Sequence, residues 1–179
     1  LAICQAAPEV RIRLGSLEPR TIDEDFCKTL SVCKNLCPQF HLSLQSGSDT
    51  VLKRMNRKYD TARYLESVRL LHRYFPGCAI TTDLIVGFPG ETEQEFSQSV
   101  SFLQTCELAA VHVFPYSRRS GTPAYDFPDQ IHEREKQERS RRMNAVAEQV
   151  RCEIRMILTR IRHRDLEAGD VIFLQGRDE

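Results

Sequence analysis

Apolar positions along the chain keep two alternating rhythms. Short runs rich in β-branched and aromatic residues, at residues 11–16, 40–45, 79–87 and 110–114, predict four strands. The run at 79–87 is almost continuously apolar, which predicts a strand buried on both faces. Between the runs, apolar residues recur every three or four positions, the spacing of one helix face. Tyr64, Leu65, Val68, Leu71 and Phe75 mark a helix over residues 61–74 that Pro76-Gly77 ends. Phe96, Val100 and Leu103 mark another, which opens at the capping box Thr92-Glu93-Gln94-Glu95. A similar box, Thr21-Ile22-Asp23-Glu24, predicts a helix start at Thr21, with Pro38 limiting its end.

Strand and helix in alternation predict successive βα units around a parallel sheet, an α/β fold. Beyond Pro115 the pattern changes: a turn-rich stretch at 117–128 leads into a long charged helix over about residues 132–162. Its apolar stripe is Met143, Val146, Val150, Ile154, Ile157 and Ile161. Residues 132–164 hold ten Lys and Arg against five acids, an excess that suits either a solvated face or a surface for an anionic partner such as RNA. Arg139, Arg142 and Arg151 are the candidates to face that partner. After Gly169, residues 171–174 predict a short strand of a following unit.

Composition narrows the class. The 179 residues are 41% apolar and 28% charged, with 25 Lys and Arg balancing 25 Asp and Glu. That describes one soluble globular domain or most of one, and a neutral total argues against a surface that coats nucleic acid everywhere. No apolar run reaches the length of a membrane span, and the start, Leu1-Ala2-Ile3-Cys4-Gln5, has neither a basic leader nor a Met. The expectation is a piece of a longer protein. Seven scattered cysteines are not a disulfide framework, so a reducing cytoplasm is expected.

Candidate chemistry gathers at the predicted strand ends. Asp83-Leu84-Ile85-Val86-Gly87-Phe88-Pro89-Gly90-Glu91-Thr92 carries a strand through two glycines into a capped helix, without a Walker lysine or a G-x-G-x-x-G spacing. His41-Leu42-Ser43-Leu44-Gln45-Ser46-Gly47-Ser48 clusters polar groups just after an apolar strand, where α/β sheets bind ligands. A structural turn or a hydroxyl-rich helix cap accounts for each taken alone. Ser16, Glu18 and Arg20 follow the first strand, and Tyr116, Ser117 and Arg118 the fourth, so all four strands end in a polar or glycine-rich rim. Cys33-x3-Cys37-x3-His41 imitates a metal motif, but its residues span a helix end and a strand and lack a fourth ligand. His72 and His112 have no evident partner and read as structural, and no nucleophile and base stand together.

These residues in order resemble the radical S-adenosylmethionine (SAM) methylthiotransferases. The resemblance rests on 11–20, on 41–47 with 51–59, on 82–92, on 112–117, and on Gly121-Thr122-Pro123 and Pro128-Asp129-Gln130. Gly15-Ser16-Leu17-Glu18-Pro19 and Val113-Phe114-Pro115-Tyr116 are most similar to the branch acting on threonylcarbamoyladenosine in tRNA, more so than to the isopentenyladenosine or ribosomal-protein branches.

The resemblance implies a partial (βα) barrel: residues 1–128 as the last four βα units of a radical SAM core, 129–165 as a linking basic helix, and 166–179 as the stub of a C-terminal RNA-binding domain. It puts methionine and ribose contacts of S-adenosylmethionine at Gln45 and Ser46, backbone contacts from Ile85 to Gly87, and adenine contacts at Val113, Phe114 and Tyr116, and extends to Glu18 and Arg57. It implies 4Fe-4S clusters and tRNA as substrate in the parent, with the sulfur donor unknown and no membrane. The family's C-x3-C-x2-C cluster motif is not here: Cys33-x3-Cys37 copies half of it and Phe40 stands where the third thiolate belongs. The chain by itself is therefore expected to hold no cluster and to be inactive. A non-catalytic α/β module for ligand or RNA, and an unrelated phosphate-binding βα enzyme, are the other readings.

Overall fold

The computed structural model describes the backbone of residues 1–167 and the side chains of residues 1–152. Strands β1 (Ser16–Leu17), β2 (Gln39–Leu42), β3 (Ala79–Val86) and β4 (Ala110–Pro115) run parallel and lie side by side in chain order. Parallel crossovers keep one hand, so steps that all go one way put every connecting helix on one face of the sheet. Such a sheet is the wall of a barrel, whereas winding in both directions would cover both faces.

The covered face holds the core. Phe40, Leu42, Ile80, Leu84 and Val86 point into it and meet Tyr64, Val68 and Leu71 of α4 (Thr61–Tyr74) and Phe96 and Leu103 of α5 (Glu93–Thr105). Their neighbours Gln39, His41, Thr81, Asp83, Ile85, His112 and Phe114 stay half-buried or exposed on the inner face. The expectation that β3 is buried on both faces is thereby corrected: its residues alternate between buried and half-buried. No second helical layer closes the inner side among the described residues.

Local chemistry sets the element ends. Asp60 caps α4 by accepting from the Arg63 amide at 2.8 Å, and the observed bounds of α4 are those the apolar spacing predicts. The box at Thr92 and Glu95 forms reciprocally at the start of α5. The one expected at Thr21 does not form, because Pro19–Thr21 winds into a 3₁₀ turn. Asp23 caps α2 (Glu24–Ser31) instead, and α2 ends well before Pro38. The predicted first strand shrinks to two residues, with Ile12 joined to Leu36 only by an isolated bridge. Two short helices had no apolar period to announce them, α1 (Ala2–Ala6) and α3 (Asp49–Arg54). The long helix α6 (Glu133–Glu167) packs against β4 and α5 through its first turns. Ile154, Ile157 and Ile161 of its predicted stripe, and the strand expected at 171–174, lie outside the residues whose side chains or backbone are described.

Candidate cofactor site at the strand ends

β2 reaches the rim through a bulge. Gln39, Phe40 and His41 pair with Ala79, Ile80 and Thr81, but Gln45 pairs with Leu84, so β2 has one residue more than β3 between those points. The Thr82 hydroxyl fills the gap, donating to the Leu42 carbonyl at 2.6 Å and accepting from the Leu44 amide at 3.0 Å. Gln45 absorbs the extra residue with φ +68°, while its amide bonds the Asp83 carbonyl and its carbonyl accepts from the Ile85 amide, both at 2.9 Å. A non-glycine residue held left-handed is strain kept by its surroundings.

β3 ends in a second left-handed residue, Gly87, with φ +72°. Its amide donates to the Glu91 carboxylate at 2.7 Å, which closes the Gly87-Phe88-Pro89-Gly90-Glu91 turn on itself. Just past the end of β4, the Tyr116 amide donates to the Val86 carbonyl at 2.8 Å and so continues the ladder one step. The buried Tyr116 hydroxyl has no hydrogen-bond partner, a group that a ligand would satisfy. Phe114, one step below on the inner face, is 51% exposed, an open surface on which a flat ring can lie.

The other sequence candidates sort themselves by direction. Ser46 is fully buried, its hydroxyl 3.3 Å from Ser99 Oγ and accepting from the Ser48 amide, so its side chain is engaged with α5. Val113 packs toward the core, opposite to Phe114. Glu18 pairs with Arg20 at 3.1 Å beyond β1. Arg57 is exposed and lines a hollow of about 470 Å³ with Arg20, Lys53, Lys58 and Tyr59. The rim itself is an open face, and the larger hollow of about 630 Å³ lies outside the barrel wall between α3 and α5.

Sequence reasoning missed a polar row on the inner face. His41 Nδ1 lies 3.0 Å from Thr81 Oγ1 and Nε2 3.4 Å from Asp83 Oδ2, with the His112 ring stacked at 6.3 Å. Gln39 adds a hydrogen bond to Thr81 at 3.1 Å. The alternation of side chains along strands was the signal that could have found it, once Asp83 was placed opposite His112 by register. His41 is thus engaged across the sheet rather than with Cys33 and Cys37.

Arg139 also departs from expectation. It does not face outward: it is 3% exposed, with Nη1 2.7 Å from a Glu91 oxygen. Arg142 pairs with Glu93 and lies over the Phe96 ring, and Arg151 pairs with Glu148.

A one-way-wound parallel sheet, its rim assembled from two left-handed turns, is what the sequence comparisons must explain. Residues 2–103 match the radical SAM superfamily. The chain belongs to that superfamily. The radical SAM chain is 42% identical over 140 residues to the threonylcarbamoyladenosine tRNA methylthiotransferase MtaB of Bacillus subtilis, covering 78% of this chain and 31% of that protein. It is 40% identical over the same length to the tRNA-2-methylthio-N(6)-dimethylallyladenosine synthase of Clostridium botulinum strain Langeland, with the same shares. The corresponding synthase of Nocardia farcinica is 41% identical over 140 residues, 78% of this chain and 28% of that protein. The chain thus spans about a third of the length of these curated relatives. The structure of coproporphyrinogen III oxidase (HemN) from Escherichia coli shares the fold, with a TM-score of 0.69 at 17% identity over 83% of this chain and 36% of that one.

Radical SAM membership implies S-adenosylmethionine and a 4Fe-4S cluster in the parent protein. The rim fits the first: it offers an unpaired Tyr116 hydroxyl, the open Phe114 ring and two strand ends that turn left-handed at Gln45 and Gly87. The thiols do not fit the second. Cys27, Cys78 and Cys106 are buried in the core, where burial raises the first and pushes the other two up to about 12, far from the thiolate a metal needs. Among the described residues no three His, Cys, Asp or Glu side chains come together in a way that could hold a metal ion.

Proposed function

We propose that this chain is the cofactor- and substrate-positioning part of a cytoplasmic tRNA methylthiotransferase that acts on threonylcarbamoyladenosine. The observation that carries the reading is the rim. Gln45, Ile85 to Gly87 and Tyr116 converge at the C-terminal ends of adjacent parallel strands, the edge where such sheets bind ligands. There the Gln45 side chain and the Ser46 backbone take the methionyl and ribose parts of S-adenosylmethionine, the backbone from Ile85 to Gly87 lies along it, and Phe114 and Tyr116 take its adenine. Arg57 and Glu18 contact the same cofactor from the neighbouring loops. When bound, the cofactor supplies the radical chemistry that activates a nucleobase C–H bond. The chain's own work is to orient the reactants and to keep water from them. The cluster ligands come from elsewhere in the parent, and the chain alone is inactive. In the parent, residues 1–128 are the barrel core, 129–165 the linking helix and 166–179 the start of an RNA-binding domain.

The choice of nucleoside rests on the inner face. Gln39, His41, Thr81, Asp83 and His112 make a polar, internally hydrogen-bonded surface there, which offers further donors and acceptors to the carbamoyl, hydroxyl and carboxylate of a threonylcarbamoyl arm and suits a hydrocarbon dimethylallyl arm less well. Expression of the full-length protein in cells lacking both methylthio modifications, followed by mass spectrometry of tRNA nucleosides, tests this. A methylthio group on threonylcarbamoyladenosine is the expected product. The group on dimethylallyladenosine instead assigns the other branch, and no gain on either nucleoside favours a binding module.

A further inference from the structure

The first turns of α6 reach the two strand ends that form the rim. Arg139 Nη1 donates to a Glu91 carboxylate oxygen and to the Glu91 carbonyl, each at 2.7 Å. The same carboxylate oxygen accepts from the Gly87 amide at 2.7 Å, so one oxygen joins the helix to the left-handed turn. Glu91 is 2% exposed and Arg139 3%. One turn earlier, the Lys136 stem covers Gly87 so closely that a Cβ there would lie 2.4 Å from Lys136 Cγ. The Lys136 ammonium then donates to the Tyr116 carbonyl at 3.0 Å. Two side chains of one helix thus hold the ends of β3 and β4.

We propose that Arg139, acting through Glu91, is a positioning residue that sets the Gly87 turn for S-adenosylmethionine, with Lys136 doing the same for Tyr116. The proposal rests on the reading of the rim as the cofactor edge. A carboxylate buried this fully keeps its charge only while a cation compensates it. Without Arg139, Glu91 takes up a proton or turns to solvent, and either change loosens its hold on the Gly87 amide. The turn's left-handed backbone then loses the bond that closes it. A solubilising helix charge would do none of this.

The test uses the full-length protein and Arg139→Met, Arg139→Lys, and the double change Glu91→Gln with Arg139→Met. Amide hydrogen exchange is read residue by residue, and S-adenosylmethionine binding is titrated on the folded fraction. Arg139→Met is expected to speed exchange at Gly87 at least tenfold and to raise the Kd for S-adenosylmethionine about tenfold, while amides in α4 keep their protection. Arg139→Lys restores most of both effects, and Glu91→Gln relieves part of the loss because a neutral carboxamide needs no counter-charge. Unchanged Gly87 exchange in a folded Arg139→Met protein overturns the proposal. Faster exchange with an unchanged Kd also overturns it, at the cofactor end. Gly87→Ala then locates the fault: if it too leaves the Kd unchanged, the rim is not the cofactor edge, and if it weakens binding, Arg139 is not what sets the turn.

Discussion

Gln45 holds a backbone conformation that costs an L-residue about 1 kcal/mol or more, and it does so at φ +68° with both of its backbone groups bonded to β3. Glycine bears no such penalty, so Gln45→Gly is expected to leave stability unchanged or raise it by about 1 kcal/mol while it weakens S-adenosylmethionine binding in the full-length protein. Denaturant midpoints and a binding titration check the two halves separately. A stabilised variant with undiminished binding would show that the Gln45 side chain does not meet the ligand. At this scale the sequence was readable for residue type and blind to direction. It picked out Gln45 and Tyr116 from polarity after an apolar run. Nothing in that signal says that a bulge at β2 turns Gln45 left-handed, or that Ser46 and Val113 point toward helices.

Among the elements, α3 and α5 are strapped together by Glu95. Its carboxylate takes both Arg54 terminal nitrogens at 2.9 and 2.8 Å, and it also closes the capping box through the Thr92 amide. The Arg54 guanidinium, helped by Thr50 and the Thr92 amide, holds the Glu95 carboxyl well below its ordinary value, at about 2. A lowered folded value means that the stabilisation is complete above the ordinary carboxylate range near 4.5 and is lost as pH falls through about 2. At neutral pH, Arg54→Met is expected to cost about 2 kcal/mol. The gap in Tm between wild type and variant should shrink progressively over that acid window; a gap independent of pH would deny the ion pair its role. The Thr92 box was legible because both of its partners lie within one turn of a helix. The Thr21 box has the same letters, yet Pro19 fixes a 3₁₀ turn there and hands the cap to Asp23. Spacing shows which residues can cap, and the incoming chain direction decides which one does.

For the whole molecule, the order of the strands matters more than their number. Four strands laid down in one direction leave one face without helices, and that bare face carries the polar row from Gln39 to His112. Alternation of strands and helices predicted the parallel sheet, but the direction of winding lies in contacts far apart in sequence, which local periodicity does not record. The charge on α6 obeys the same limit. Ten basic residues against five acids between 132 and 164 suited a solvated face or a field for RNA, but the fold spends Arg139 on Glu91 and pairs Arg142 and Arg151 with acids. Arg134 and Arg141 are exposed, and Arg141 pairs with its neighbour Glu138, as solvated helix residues do. In the full-length protein, Arg139→Gln should therefore lower stability and leave the salt dependence of tRNA binding unchanged. Replacing Arg134 and Arg141 with Gln should do the reverse, reducing the slope of log affinity against log salt by about one to two, the release of one or two counterions. Titrations at two salt concentrations, with thermal melts of the same samples, separate these outcomes. A slope that falls with Arg139→Gln alone would mean that the buried arginine turns outward to meet RNA, which its ion pair with Glu91 opposes.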